Sequence, residues 1–288
     1  MKPGRFTYEA PATVEGALLS LAARGDDAKL IAGGQSLAPM LNMRLARPEH
    51  LIDINGLKEL GEVRLDSDRL TIGAMVRHAA LAKNELVRRH CPMLAHAAET
   101  IGHYAIRQRG TIGGSLAHAD PAAQLPLAAL VLDAEIEVRS AAGQRTVPAR
   151  DFFVSIFTTV LNPDELIVAV HVPVTRAGAG WGFRLFNRRA GDFAIVSVAA
   201  TLSRAEDGGI EGLRLAIGGI GPVPVRVETL VAEHSFGRTP QDWPGTVAAW
   251  VAEAVEIEDN ERTPESFRRE LVAALTKDTL DQALETAR

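Results

Sequence analysis

An α+β fold is expected of this chain: two subdomains over residues 1–56 and 57–176, then a small domain over 177–288 built on a three-stranded antiparallel sheet with helices. Three observations predict it. Apolar residues recur at helical spacing just after Thr13, segments alternating at a period of two flank turn residues between 63 and 74, and the apolar run Leu166-Ile167-Val168-Ala169-Val170-His171-Val172 reads as a well-buried strand.

Val14, Ala17, Leu18, Leu21 and Ala22 share one helix face, with Thr13 placed to cap the helix and Gly25 to stop it. Asp26-Asp27 then turns the chain into a strand ending at Ala32, and Leu51-Ile52-Asp53-Ile54 forms a second, so the first subdomain is a β-α-β-like unit. Val63-Arg64-Leu65 and the segment from Leu70 to Ala74 form a hairpin across Asp66-Ser67-Asp68. Helices are expected near 76–86, 93–101 and 125–132, with a strand at 136–138 turned by Ala142-Gly143. Gly178, Gly180 and Gly182 mark the domain boundary by composition. Beyond it, 183–186, 193–202 and 213–217 read as antiparallel strands, with turns at Ala190-Gly191-Asp192 and Asp207-Gly208-Gly209. In the final helices, Val247, Trp250, Val251, Ala254 and Val255 share one face, and Phe267, Leu271, Ala274 and Leu275 share another.

Composition narrows the function. With 288 residues, 47% hydrophobic and 23% charged, the chain can bury a sizeable core. A net charge of −5 disfavours nucleic acid and anionic membrane as partners. No apolar run approaches the roughly 18 residues of a membrane span, and the N-terminus lacks a signal-peptide core, so a cytoplasmic location is expected. The single cysteine, Cys91, excludes an internal disulfide and cannot hold an iron–sulfur cluster, which takes four cysteine ligands. The eight histidines show no HxH or HExxH metal spacing, and the acidic runs 253–261 and 265–270 read as solvated faces.

Chemistry concentrates in two glycine turns. The denser runs from Arg107 to Pro121, where Gly110, Gly113 and Gly114 can take positive φ and lack a Cβ, so that successive N–H groups can turn toward one anion that approaches the main chain closely, with phosphate the natural candidate. The other, Ala32-Gly33-Gly34-Gln35-Ser36, reads as strand, tight turn and helix start. Two such turns suit a pyrophosphate, although neither has GxGxxG or GxxxxGK[ST] spacing. Ser115, His118 and Asp120 fall too close together for a hydrolytic triad, which draws its members from separate elements.

Together the turns resemble those of the FAD-binding (medium) subunits of the molybdenum hydroxylases, the xanthine dehydrogenase and carbon monoxide dehydrogenase family. Ala32–Ser36 is similar to that family's AGGQS-like turn and Thr111–Ser115 to its TIGGN-like turn; Arg107, Ala119-Asp120-Pro121, the segment Leu161 to Glu165 and Gly191-Asp192-Phe193-Ala194 fall in matching order. The resemblance implies a two-subdomain FAD-binding fold of the PCMH type followed by a flavoprotein C-terminal domain. It implies that Lys29, Leu30, Ile31, Ala32, Gly33, Gly34, Gln35 and Ser36 form one FAD cradle and Thr111, Ile112, Gly113, Gly114 and Ser115 the other. Ile101 and Leu161 would be apolar neighbours of the ring, Phe193 would sit near the isoalloxazine, and His118, Ala119, Asp120 and Gln124 would complete the site. Three positions depart from the pattern: Ser115 replaces the commoner asparagine, Gln124 an aspartate of xanthine enzymes, and Leu185 a lysine of many relatives. The implied role is electron transfer. A large molybdopterin subunit and a small [2Fe-2S] subunit would supply electrons, and FAD would pass them to an external acceptor. A self-sufficient FAD-dependent oxidase or reductase, and a non-enzymatic nucleotide-binding module, are the alternatives.

Overall fold

The computed structural model describes residues 2–231, 243–259 and 263–287. The first subdomain carries β1 (Thr7–Glu9), α1 (Val14–Arg24), β2 (Ala28–Ile31), α2 (Leu37–Met43) and β3 (His50–Asp53), and its sheet runs β1-β3-β2 with both pairs parallel. The Thr13 hydroxyl accepts from the Gly16 N–H and Gly25 takes φ +53°, so α1 begins and ends where its side chains dictate. Its buried residues Val14, Ala17, Leu18 and Leu21 pack with Ile52 and Ile54.

The second subdomain adds β4 (Val63–Asp66), β5 (Arg69–Gly73), α3 (His78–Lys83), α4 (Glu85–His90), α5 (Pro92–Glu99), α6 (Tyr104–Arg109), α7 (Ile112–His118), α8 (Gln124–Val131), β6 (Glu135–Ser140), β7 (Gly143–Pro148), α9 (Ala149–Phe152), β8 (Phe153–Ser155), β9 (Thr158–Thr159) and β10 (Leu166–Pro173). Its main sheet runs β4-β5-β10-β6-β7, all antiparallel, with β10 central and buried along nearly its whole length. The helix expected over 76–86 breaks in two. Asn84 adopts an extended conformation and its side chain caps Val87, so α3 ends and α4 starts on either side of it.

The C-terminal sheet holds β11 (Gly180–Phe186), β12 (Val196–Arg204) and β13 (Ile210–Gly218), antiparallel as expected, and the two-residue β14 (Val225–Arg226) adds a fourth member. One face meets the wholly buried α8, and Phe183, Ala199 and Ala216 join the core of the second subdomain. The helix Glu265–Thr286 covers β11 and β12 and packs against Trp243–Ala254. Gly180 and Gly182 lie inside β11, not in a flexible linker: a Cβ on either would overlap the carbonyl of Ala283 or Thr279 in that helix.

The buried helix faces differ from the expected ones. Glu265–Thr286 buries Arg268, Val272, Leu275, Thr276, Thr279, Leu280 and Ala283, leaving Phe267 39% exposed and Ala274 exposed. Trp243–Ala254 buries Ala248 and Ala252 beside Val247 and Val251, with Ala254 exposed. Glu253, Glu256 and Glu258 are exposed, whereas residues 260 and 261 of that acidic run lie outside the described residues. No helix among the described residues is long and apolar enough to cross a membrane.

Candidate functional site

The two glycine turns abut. A Cβ on Gly33 would overlap the carbonyl of Arg109, and one on Gly114 would come within 3.9 Å of the Ala32 Cβ. Parallel β2 and β3 deliver the first turn to this place, and the junction of α6 with α7 delivers the second.

In the first turn, Gly34 has φ +70°, which favours glycine. Ala38 N–H bonds the Gly34 carbonyl at 3.0 Å, and Gln35 Nε2 donates to the Gly33 carbonyl at 2.9 Å. Among the described residues no acceptor takes the N–H groups of Gly33, Gly34, Gln35 or Ser36. Four successive donors in one turn form the kind of nest that binds an anion.

The second turn makes no use of positive φ: none of Gly110, Gly113 and Gly114 is left-handed. Gly113 and Gly114 sit in the first turn of α7, capped by the Thr111 hydroxyl, which accepts from the Gly114 N–H at 3.1 Å. The neighbouring amides are also used, Ile112 to the Val76 carbonyl, Gly113 to Ala74 and Ser115 to Thr111. Glycine is needed here for closeness. An added Cβ would lie 2.6 Å from the Ala74 Cβ at Gly113, 2.8 Å from the Thr111 Oγ1 at Gly114 and 2.7 Å from the His78 ring at Gly110.

Three side chains that carry no recognisable sequence motif hold this junction. His78 takes the Gly110 carbonyl with its N–H and donates from Nε2 to the Thr111 carbonyl at 2.9 Å. Burial pushes its pKa down to about 4, so the ring is neutral and Nδ1 is an unpaired buried acceptor. Arg77 donates to the Arg109 carbonyl and, at 2.6 Å, to Asn55 Oδ1; Asn55 Nδ2 donates to the Ala32 carbonyl at 2.8 Å. Asp53 closes the group. Burial raises its carboxyl, but hydrogen bonds from Tyr8 and Asn55 and the charge of Arg109 outweigh that and hold it below the ordinary value.

The remaining expected site residues divide by exposure. Gly114, Ser115 and His118 lie on the open side of α7, whereas Ile112 and Gly113 face the core. The His118 ring stacks on Phe157 at 4.8 Å, and Ala119, buried with φ +49°, ends the helix. Asp120 and Phe193 line a single cleft of about 760 Å³ between the second subdomain and the C-terminal domain, together with Ile156, Phe157, Arg188 and Asp192. Phe193 is 63% exposed and precedes β12 instead of opening it. Lys29 is exposed, Leu30 and Ile31 are half-buried, Gln124 is buried at the start of α8, and Ile101 and Leu161 pack against the core of the second subdomain. Leu185 is half-buried in β11 and packs against the same core.

Residues 4–175 match the family described as the FAD binding domain in molybdopterin dehydrogenase, and residues 181–283 match the CO dehydrogenase flavoprotein C-terminal domain. Over 294 residues the chain is 40% identical to the 6-hydroxypseudooxynicotine dehydrogenase complex subunit alpha of Paenarthrobacter nicotinovorans, covering 100% of this chain and 97% of the relative. It is 37% identical to the caffeine dehydrogenase subunit beta of Pseudomonas sp. strain CBB1, covering 98% and 96%. Among solved structures, a chain of carbon monoxide dehydrogenase from Hydrogenophaga pseudoflava superimposes with TM-score 0.95 at 34% identity, covering 100% of both. A chain of quinoline 2-oxidoreductase from Pseudomonas putida 86 gives 0.93 at 33%, covering 100% and 99%.

Proposed function

Because the chain belongs to the FAD-binding medium subunits of the molybdenum hydroxylases, and is thereby an oxidoreductase subunit that binds FAD, we propose that it relays electrons from molybdenum and [2Fe-2S] centres on partner chains to an external acceptor. The observation that carries the site assignment is the pairing of turns: Gly33 to Ser36 leave four N–H groups unused, and Gly33 abuts a second turn whose glycines leave no Cβ in the way. These residues fit a pyrophosphate, with the Ser115 hydroxyl on the open side of α7 as a further donor. FAD when bound supplies reversible two-electron chemistry, and the chain supplies binding, orientation and the electrostatic surroundings.

The need for partners rests on Cys91. It is the only cysteine, it is fully buried, and burial pushes its thiol up to about 12, so no thiolate set for a cluster exists on this chain. The names of its relatives point to nicotine derivatives, caffeine, quinoline and carbon monoxide. Such varied substrates on similar medium subunits support placing substrate choice on another chain. We keep the domain division at 176/177, supported by the gap between the two matched segments.

The test is purification of the chain alone and with its partners. The isolated chain is expected to hold one FAD noncovalently, to be reduced by an artificial reductant and to turn over no organic substrate. Substrate oxidation by the single chain would favour the self-sufficient oxidase, and absence of flavin would remove the assignment.

A further inference from the structure

We propose that Arg77 and Asn55 form a clasp that fixes the spacing between the two glycine turns, making them positioning residues for a dinucleotide pyrophosphate that neither side chain touches. The inference rests on the FAD reading above. Its ground is an unbroken chain of hydrogen bonds running from one turn to the other: the Ala32 carbonyl accepts from Asn55 Nδ2 at 2.8 Å, Asn55 Oδ1 accepts from Arg77 at 2.6 Å, and the second arm of the same guanidinium reaches the Arg109 carbonyl. Each end of that chain is a backbone carbonyl of a turn, so the clasp acts on main-chain position.

Both members are themselves fixed. Asn55 Nδ2 and its backbone N–H also bond Asp53 Oδ1, at 2.6 and 2.8 Å, which settles the orientation of the carboxamide. The Arg77 backbone pairs with Thr111 in an antiparallel bridge, and the next residue, His78, takes the Gly110 and Thr111 carbonyls. Residues 77 and 78 thus accept responsibility for three consecutive carbonyls, Arg109, Gly110 and Thr111, and the Asn55 arm extends that hold to the first turn. A planar guanidinium presents two donors at a set separation, which a lysine ammonium does not. The second turn is tied to its own subdomain through Ala74 and Val76, and the first bonds Ala38 and Met40 of the helix that follows it and Asn55 beside it, so the Arg77–Asn55 contact is what joins the two across the gap.

The experiment titrates FAD, with ADP and AMP as truncated probes, into the full chain and its R77A, R77K, N55A and R77A/N55A variants, with thermal unfolding of each measured in parallel. R77A and R77K are both expected to weaken FAD and ADP by about 10- to 100-fold, the usual cost of removing a partner that orients a binding group. The double variant should bind no worse than R77A, since the two residues act as one unit. AMP, with a single phosphate that does not span the turns, should change by less than about threefold. N55A leaves the Arg77–Thr111 bridge in place and gives the reading if R77A fails to fold. Parental affinity in R77A or N55A, full rescue by lysine, or losses that track melting temperature across all variants would overturn the clasp. A parent chain that binds neither FAD nor ADP would instead overturn the flavin reading.

Discussion

The two glycine turns look alike in sequence, each a Gly-Gly pair followed by a hydroxyl-bearing or amide side chain, yet they use glycine for different reasons. The Ala32–Ser36 turn has a left-handed Gly34 and leaves the amides of Gly33 to Ser36 unused, whereas the Thr111–Ser115 turn has no left-handed glycine and spends the amides of Ile112, Gly113, Gly114 and Ser115 on its own framework. One turn offers donors and the other offers proximity. A ligand-binding loop can therefore be half recognition and half scaffold, and composition alone does not say which half is which.

The contrast breaks most severely at Gly33, which belongs to the donor turn but touches the scaffold turn. In Gly33→Ala the new methyl overlaps the Arg109 carbonyl, so the turns must separate. We expect FAD affinity to fall by about 100-fold or more, with a stability loss at or above the upper end of the roughly 1–3 kcal/mol typical of overpacking. Flavin titration with parallel thermal melts checks this, and unchanged binding would show that the turns need not meet.

The next effect concerns the scaffold turn through pH. An unfolded imidazole titrates near 6.5, whereas folded His78 titrates at about 4. Between these values the unfolded chain binds the additional proton, so stability is full above 6.5 and falls as pH drops toward 4. The loss is on the order of 3 kcal/mol. His78→Gln should flatten that part of a melting-temperature profile between pH 7 and 4; a slope equal to that of the parent would assign it to other groups.

The smallest effects sharpen the division of roles. Gly113→Ala, whose Cβ would lie 2.6 Å from that of Ala74, should cost about 1–3 kcal/mol of stability while the folded fraction keeps FAD affinity within roughly threefold. Gly114→Ala should do the reverse, losing about 1 kcal/mol of capping at Thr111 but weakening FAD about tenfold, because the methyl points toward Ala32. Gly143→Ala, in an exposed hairpin turn with nothing within 4 Å of the added Cβ but with φ +159°, is the control and should stay within about twofold in affinity while backbone strain costs about 1 kcal/mol of stability. Equal behaviour of Gly113 and Gly114 variants would erase the distinction between the two faces of α7.

The location of both turns was legible because glycine, hydroxyl and charge cluster there, and α1 was legible to its caps because Thr13, its apolar stripe and Gly25 agree. The internal wiring was not. Asn55, Arg77 and His78 belong to no motif and acquire their roles only when β3 and the start of α3 are brought beside the turns. The last helix misled for a related reason: it buries Arg268, Thr276 and Thr279, and a stripe read from apolar periodicity selects Phe267 and Ala274 instead. Thr279 and Ala283 face inward because the bare backbone of Gly182 and Gly180 approaches them so closely, and Arg268 because it donates to the Gly219 and Glu258 carbonyls.

The burial of Cys91 also bears on survival under oxidative conditions. A thiol held at about 12 is ionised at neutral pH to only roughly one part in 10⁵, and peroxide attacks the thiolate. Sulfenic acid formation, glutathionylation and mixed-disulfide trapping all require an exposed thiolate that this chain does not present. A flavoprotein that loses electrons to molecular oxygen generates peroxide at its own surface, and here the sole sulfur able to climb the cysteine oxidation ladder is buried at the junction of α4 and α5.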